Sequence, residues 1–136
     1  MSVSTSGPSA WPGFFPPDCP PIATPPASGS AYRLVRDNPP AEADFRSHVE
    51  RGVKPPDGEE CLACALSVYL DLDDILAVRR SVKGFRKRSV AQGQLNVGAL
   101  AHSPSGPTSS HHSWWLPEGA SVHEGFKVVC GPEATK

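Results

Sequence analysis

Cys61–Lys83 reads CLACALSVYLDLDDILAVRRSVK, and here a continuous apolar run passes straight into a helix with a clear start signal. Leu62 to Leu70 is too uniformly apolar for a half-exposed strand, so the pattern predicts a central, buried one. Asp71 follows as an N-cap, with Asp74 three residues on in a capping-box-like position. Leu72, Ile75, Leu76, Arg79 and Val82 then fall on one helical face, and Gly84 lies where the helix should end. A buried strand feeding an amphipathic helix predicts a small α+β core.

Upstream, Ala31–Val35 (AYRLV) alternates, with Tyr32 and Leu34 on one side and Arg33 and Val35 on the other, which predicts a short strand. Pro40, Glu42 and Asp44 suit a first helical turn, Ala41, Phe45, His48 and Val49 share a face, and Gly52 can cap the end in the left-handed region. These signals predict a helix over residues 40–51. Downstream, Phe85–Val97 reads as a strand with Ser89, Ala91, Gly93 and Leu95 on its buried face, Gly93 marking a bulge or a close backbone approach. Gly98–Ser110 has loop composition, and Phe126–Cys130 (FKVVC) closes the domain. The expected architecture is one α+β domain over residues 31–130, a mixed or antiparallel sheet with two helices.

Eight of the sixteen prolines precede residue 27. That density favours polyproline II over helix or central strand, so residues 1–30 read as a disordered Pro-rich tail, and residues 131–136 as a short C-terminal one. Trp11, Phe14 and Phe15 are out of place in a solvated linker and suggest partial docking. Net charge is −1, which excludes a protein that coats nucleic acid or membrane with its whole surface. No stretch approaches the length of a membrane span, and the N-terminus lacks the pattern of a secretory signal. The expected location is the cytoplasm, where four cysteines stay as thiols.

Four groupings carry chemistry. Cys61 and Cys64 have zinc-site spacing, but they flank Leu-Ala in an apolar strand instead of a Gly- or Pro-bent loop, so no metal is expected. Asp71, Asp73 and Asp74 lack the glycine and terminal glutamate of a calcium loop, and capping explains them. Arg79, Arg80, Lys83, Arg86, Lys87 and Arg88 place six cations in ten residues; they complement a helix C-terminus or track phosphates on nucleic acid. His111-His112-Ser113-Trp114-Trp115 joins titratable rings to large aromatic surfaces. Strand alternation predicts Trp115 packed inward and Trp114 at the surface beside His112, as a ligand platform.

AYRLVRDNPPAEADFRSHVERG, CLACALSVYLDLDDILAVRR and HHSWWLPEG together resemble a group of small bacterial proteins without assigned function. The layout is also distantly similar to the ADP-ribosyltransferase fold. That resemblance implies nicotinamide adenine dinucleotide held by Arg33 and Ser67, with Glu118, in a Pro-Glu-Gly turn, as the catalytic glutamate. The leading expectation is a binding protein for a small molecule or a protein partner, centred on Arg33, Ser67, His111, His112 and Trp114, with no cofactor. The alternatives are an enzyme of ADP-ribosyltransferase type and a nucleic-acid accessory protein working through Arg79–Arg88.

Overall fold

The computed structural model describes residues 11–104 and 110–132. Six strands form one antiparallel sheet: β1 (Ser30–Val35), β2 (Leu66–Tyr69), β3 (Ser89–Gln94), β4 (Ala99–His102), β5 (His111–Trp115) and β6 (Phe126–Cys130), in the order β4-β5-β2-β1-β3-β6. The helix α1 (Leu72–Ser81) connects β2 to β3 and packs on β1 and β2.

Cys61–Lys83 follows its pattern where the signals are local. The buried strand expected over Leu62–Leu70 is cut short: Leu62–Cys64 forms a 3-10 turn, β2 begins only at Leu66, and Leu62, Ser67 and Leu70 are exposed, but β2 is central, with Leu66 and Val68 buried. Asp71 caps α1 by accepting the Asp73 N–H at 2.8 Å. Asp74 does not complete a capping box: its Oδ2 accepts the Ser110 N–H at 3.0 Å, while the Ser110 hydroxyl accepts the Asp71 N–H at 3.2 Å. The helix start is thereby tied to the residue that opens β5. The buried face is narrower than the spacing predicts. Ile75 and Arg79 are buried, Leu72 and Leu76 are half-buried, and Val82 is exposed. The helix stops at Ser81 without a left-handed glycine, and a 3-10 turn at Lys83–Phe85 takes over.

The helix expected over 40–51 is absent. A 3-10 turn covers only Glu42–Phe45, and Arg46 is extended. Two competing bonds explain the break. The Asp44 carbonyl, which a continuing helix would need, instead accepts Arg33 Nε at 2.9 Å. The Asp44 carboxylate reaches back to the N–H groups of Arg36 (2.7 Å), Ala41 (3.0 Å) and Asp37 (3.3 Å), a local competition that acidic residues commonly win over helix. A second turn, 47–51, carries a reciprocal Ser47–Glu50 capping box and ends on Gly52 at φ +79°.

The strand expected over Phe85–Val97 is limited to β3, since Lys83–Phe85 forms a 3-10 turn; Ser89, Ala91, Gly93 and Leu95 are buried and Gln94 is exposed as expected, but Val90 on the other side is buried too. At Gly93 a Cβ would sit 2.5 Å from the Phe126 ring, so a close approach, and not a bulge, accounts for the glycine. The irregularity lies two to three residues earlier, between Val90 and Ala91. The stretch expected to be loop contains β4, whose small residues Ala99 and Ala101 face Trp115 and Ser113 across the register with β5.

The expectation of a disordered tail fails for residues 11–30, and residues 1–10 lie outside the described residues. Cys19 is disulfide-bonded to Cys61, which corrects the expectation of four thiols; Cys64 and Cys130 are free. Trp11 and Phe15 stack at 5.7 Å and pack on a cluster of Cys19, Cys64 and Trp115. Further along, Ala27 N–H bonds Gly98 O (2.9 Å), Leu100 N–H bonds Pro25 O (3.0 Å), and Pro26 bridges Ala99. Prolines suit this role, because a strand edge needs few donors from its cover.

Trp115 packs inward as expected, whereas Trp114, expected at the surface, is buried as well. Both are buried, at 0% and 2% exposure, on opposite sides of β5. Trp114 joins the main core with Phe45, Leu66, Val68 and Phe126; Trp115 joins the cluster under the N-terminal segment. Each indole N–H reaches a carbonyl, Trp114 to Val97 (2.8 Å) and Trp115 to Cys61 (2.9 Å). Two adjacent tryptophans are tolerated because the sheet is covered on both faces at β5.

Three expected outcomes follow from this packing. Trp114→Ala and Trp115→Ala should each cost about 3–5 kcal/mol in a urea titration. Cys61→Ser should cost about 2–4 kcal/mol, since the bond closes a long loop in the unfolded chain. Removal of residues 1–28 should then cost at least as much, and an unchanged melting temperature would contradict the docked arrangement.

Candidate functional site

Arg33 lies on β1 where pairing with β2 is limited to the register pair Tyr32↔Tyr69. Its guanidinium fills the divergence, donating Nη1 to Ser67 O at 2.8 Å and Nε to Asp44 O at 2.9 Å, and it sits 5.5 Å from the Phe45 ring centroid. Burial pulls its pKa down to about 10; Arg51 and Arg88 push the same way and Asp44 opposes them. Arg33 therefore stays cationic near neutral pH while poorly hydrated, the state in which a guanidinium gains most from an added anion.

Around it opens a cleft of about 550 Å³, lined by Arg33, Arg36, Arg46, Arg51, Arg88 and His48, with Tyr69 and Phe85 supplying ring surfaces. Asp37 and Asp44 are the carboxylates on its wall. Asp44 is already engaged by three backbone N–H groups, and Arg46 is paired with Glu42 at 3.5 Å. The remaining cations feel one another. His48 is pulled below its ordinary pKa by burial and then by Arg51 and Arg33. Arg88, which also sits 4.9 Å from the Phe85 ring centroid, is lowered by burial, Arg36 and Arg51. A concave wall of one sign focuses its field and raises the local concentration of an opposite charge.

Ser67 lines the same cleft and is exposed. Its hydroxyl lies 3.0 Å from His111 Nε2, across the β2–β5 pair. The other nitrogen, His111 Nδ1, is 2.5 Å from the Ser103 carbonyl. A carbonyl only accepts, so Nδ1 carries the hydrogen and Nε2 of the neutral ring presents its lone pair to the Ser67 hydroxyl. Tyr69 packs edge-on against the imidazole at 5.1 Å, which fixes its plane. Tyr69's own phenol is raised in pKa by burial and by Asp74.

Of the residues expected at the site, Arg33 and Ser67 line the cleft and His111 reaches it through Ser67. His112 points away from it: its Nδ1–H donates to Ser110 O at 2.8 Å and its ring lies 4.9 Å from that of His102. Trp114 is core, so it offers no platform. Glu118 lines a separate cavity of about 210 Å³ with Phe14, Leu116 and His123. The basic run is divided. Arg79 is buried and holds the carbonyls of Gly131 (2.6 Å) and Arg88 (2.9 Å). Arg88 turns to the cleft, and Arg80, Lys83, Arg86 and Lys87 are exposed. Among the described residues no group of three or more His, Cys, Asp and Glu could hold a metal, and no helix is long and apolar enough to cross a membrane.

The sequence reading missed Arg36, His48, Arg51 and Phe85. His48 and Arg51 sit on the segment assigned to a helix, and Arg36 sits in the stretch between that segment and the first strand. The repeated arginine of RLVR is a local signal; the convergence with Arg51 and Arg88 is not.

Compared with protein-family models, with curated proteins and with solved structures, the chain matches none.

Arg33→Met should lower stability by about 1.5–3 kcal/mol, because the Asp44 and Ser67 carbonyls lose a charged donor. Arg51→Ala, at an exposed position, should leave stability within about 0.5 kcal/mol or raise it slightly by relieving repulsion. Urea titration of both variants separates the internal cation from the one free to meet a ligand.

Proposed function

We propose that the protein binds a phosphorylated small molecule in the arginine-lined cleft. The observation that carries this reading is the placement of Arg33, Arg36, Arg51, Arg88 and His48 around one 550 Å³ concavity with few carboxylates to neutralise them. Guanidinium forks match phosphate oxygens bidentately, and the volume suits a small ligand. Tyr69 and Phe85 add surfaces on which a planar ring can stack. A nucleotide satisfies both requirements. The nucleic-acid alternative is less well supported, since Arg79 is internal and the basic run forms no continuous track.

A second reading, an enzyme of ADP-ribosyltransferase type acting on nicotinamide adenine dinucleotide, is favoured by one contact, Arg33 on the Ser67 carbonyl. Against it, Glu118 lines the other cavity, which leaves the catalytic glutamate of that resemblance without a counterpart at the cleft.

The compartment turns on Cys19–Cys61. A persistent disulfide favours an oxidising environment, whereas the cytoplasm expected from composition would keep both thiols reduced. Alkylation of free thiols in protein taken directly from cells distinguishes the two.

Pyrophosphate, adenosine diphosphate and nicotinamide adenine dinucleotide should each raise the melting temperature. The gain corresponds to about 2.7 kcal/mol at a hundred times Kd. Arg51→Ala should weaken binding at least about tenfold, the loss of roughly one charged hydrogen bond. If none of the three shifts the transition at millimolar concentration, the cleft is not a phosphate site.

His48 gives an independent measure. In the free protein it should titrate below the ordinary value near 6.5, and saturating pyrophosphate should move it upward. By linkage, affinity then strengthens as pH falls through that range. Proton chemical shifts of the His48 ring report both states.

A further inference from the structure

We infer that Ser67 is an activated nucleophile, with His111 as its proton acceptor and the Ser103 carbonyl as the group that fixes the imidazole. This goes beyond ligand binding and rests on the proposed cleft only for the charge of the substrate.

Three observations converge on it. The Nδ1–Ser103 O bond holds the tautomer whose Nε2 lone pair faces outward, and the hydroxyl on that lone pair, 3.0 Å away, is Ser67. Ser67 is exposed and is one of the residues lining the cleft, and its hydroxyl is engaged by the imidazole. The backbone beneath it is fixed twice, by the β2–β5 pairing of Ser67 with Ser113 and by Arg33 Nη1 on the Ser67 carbonyl. A hydroxyl, a base in hydrogen-bond reach and a third group orienting the base are the parts a nucleophilic serine needs; here a main-chain carbonyl stands where a carboxylate is more usual. The Arg33 guanidinium beside the Ser67 peptide supplies positive charge for a developing oxyanion.

The substrate class that fits is a carboxylic ester bearing an anionic group, the anion lying among Arg36, Arg51 and Arg88. Ser67 Oγ bonds to the acyl carbon as its proton passes to His111 Nε2. The ester C–O bond breaks, and the leaving alkoxide takes that proton. Water then adds to the acyl carbon and gives a proton to His111. The acyl–Oγ bond breaks, the carboxylic acid departs, and the proton returns to Ser67.

The test is covalent labelling of the full chain with a fluorophosphonate reporter, the site mapped by peptide mass spectrometry, together with hydrolysis of the mono-p-nitrophenyl ester of succinic acid against p-nitrophenyl acetate. Labelling is expected at Ser67, lost in Ser67→Ala and slowed about 10²-fold or more in His111→Gln. Both variants should keep a cooperative thermal transition and the wild-type circular dichroism spectrum, which certifies the fold. Arg51→Ala should retain labelling and lose the preference for the succinyl ester. Absence of label from Ser67 in protein that still binds pyrophosphate overturns the inference, as does a labelling rate indifferent to His111→Gln. Labelling without any pyrophosphate response supports the nucleophile and sinks the phosphate cleft instead.

Discussion

The Arg33 guanidinium is the constraint on which this structure turns. It sits where β1 and β2 diverge, and it joins three parts of the chain that the sheet alone would leave apart: β1, the 36–51 segment through Asp44 O, and β2 through Ser67 O. Its direct acceptors are carbonyls, which carry no net charge. The cation is therefore only partly compensated, and burial makes that costly, as its lowered pKa reflects. Structures retain such a group when an anion completes it or when it fixes a specific geometry. Here the same side chain breaks the helix that 40–51 would otherwise form and opens the cleft that the broken segment lines.

The described N-terminal segment does for the other face what Arg33 does for the cleft. Trp115 would be an exposed indole on a bare sheet. The chain before β1 covers it with Trp11, Phe15 and Cys19, held by the bond to Cys61, and then passes along the outer edge of β4. Cys61 carries two functions in that arrangement, since its carbonyl accepts the Trp115 indole N–H while its sulfur anchors the strap. Cys64 lies in the same cluster, but burial and Glu50 raise its thiol pKa, so it is a poor thiolate and a weak competitor for exchange.

What was legible in the sequence was what is decided within a few residues. The middle of β2, the Asp71 cap, the buried small-residue face of β3, the closing strand β6 and the turn at Gly52 all came from local pattern. The errors share one cause, a distant partner that overrides a local preference. The proline-rich segment reads as solvated until Cys19 meets Cys61. Ala99–His102 reads as loop until β5 pairs with it. The tryptophans read as one in and one out, because alternation cannot say that both faces are covered. Of the site, Arg33 and Ser67 were found through resemblance and His111 through its chemistry. Arg36, His48, Arg51 and Arg88 converge only through the fold.

The division of labour along β5 shows how a core strand also serves a site. From Ser113 to Trp115 the residues are buried and fix the strand between β2 and β4. His111, two residues before that buried stretch, inherits a rigid backbone while its ring reaches diagonally across to Ser67 on the neighbouring strand β2. The anchoring tryptophans limit the freedom of the imidazole without touching it. The Asp71–Ser110 and Asp74–Ser110 bonds hold the residue immediately before His111 to the start of α1. Position is thus set from both sides, which is what a proton acceptor requires: an ångström of looseness at Nε2 would forfeit the hydrogen bond. A half-buried histidine serving only the sheet would not need its outer nitrogen aimed at an exposed hydroxyl on a cationic cleft.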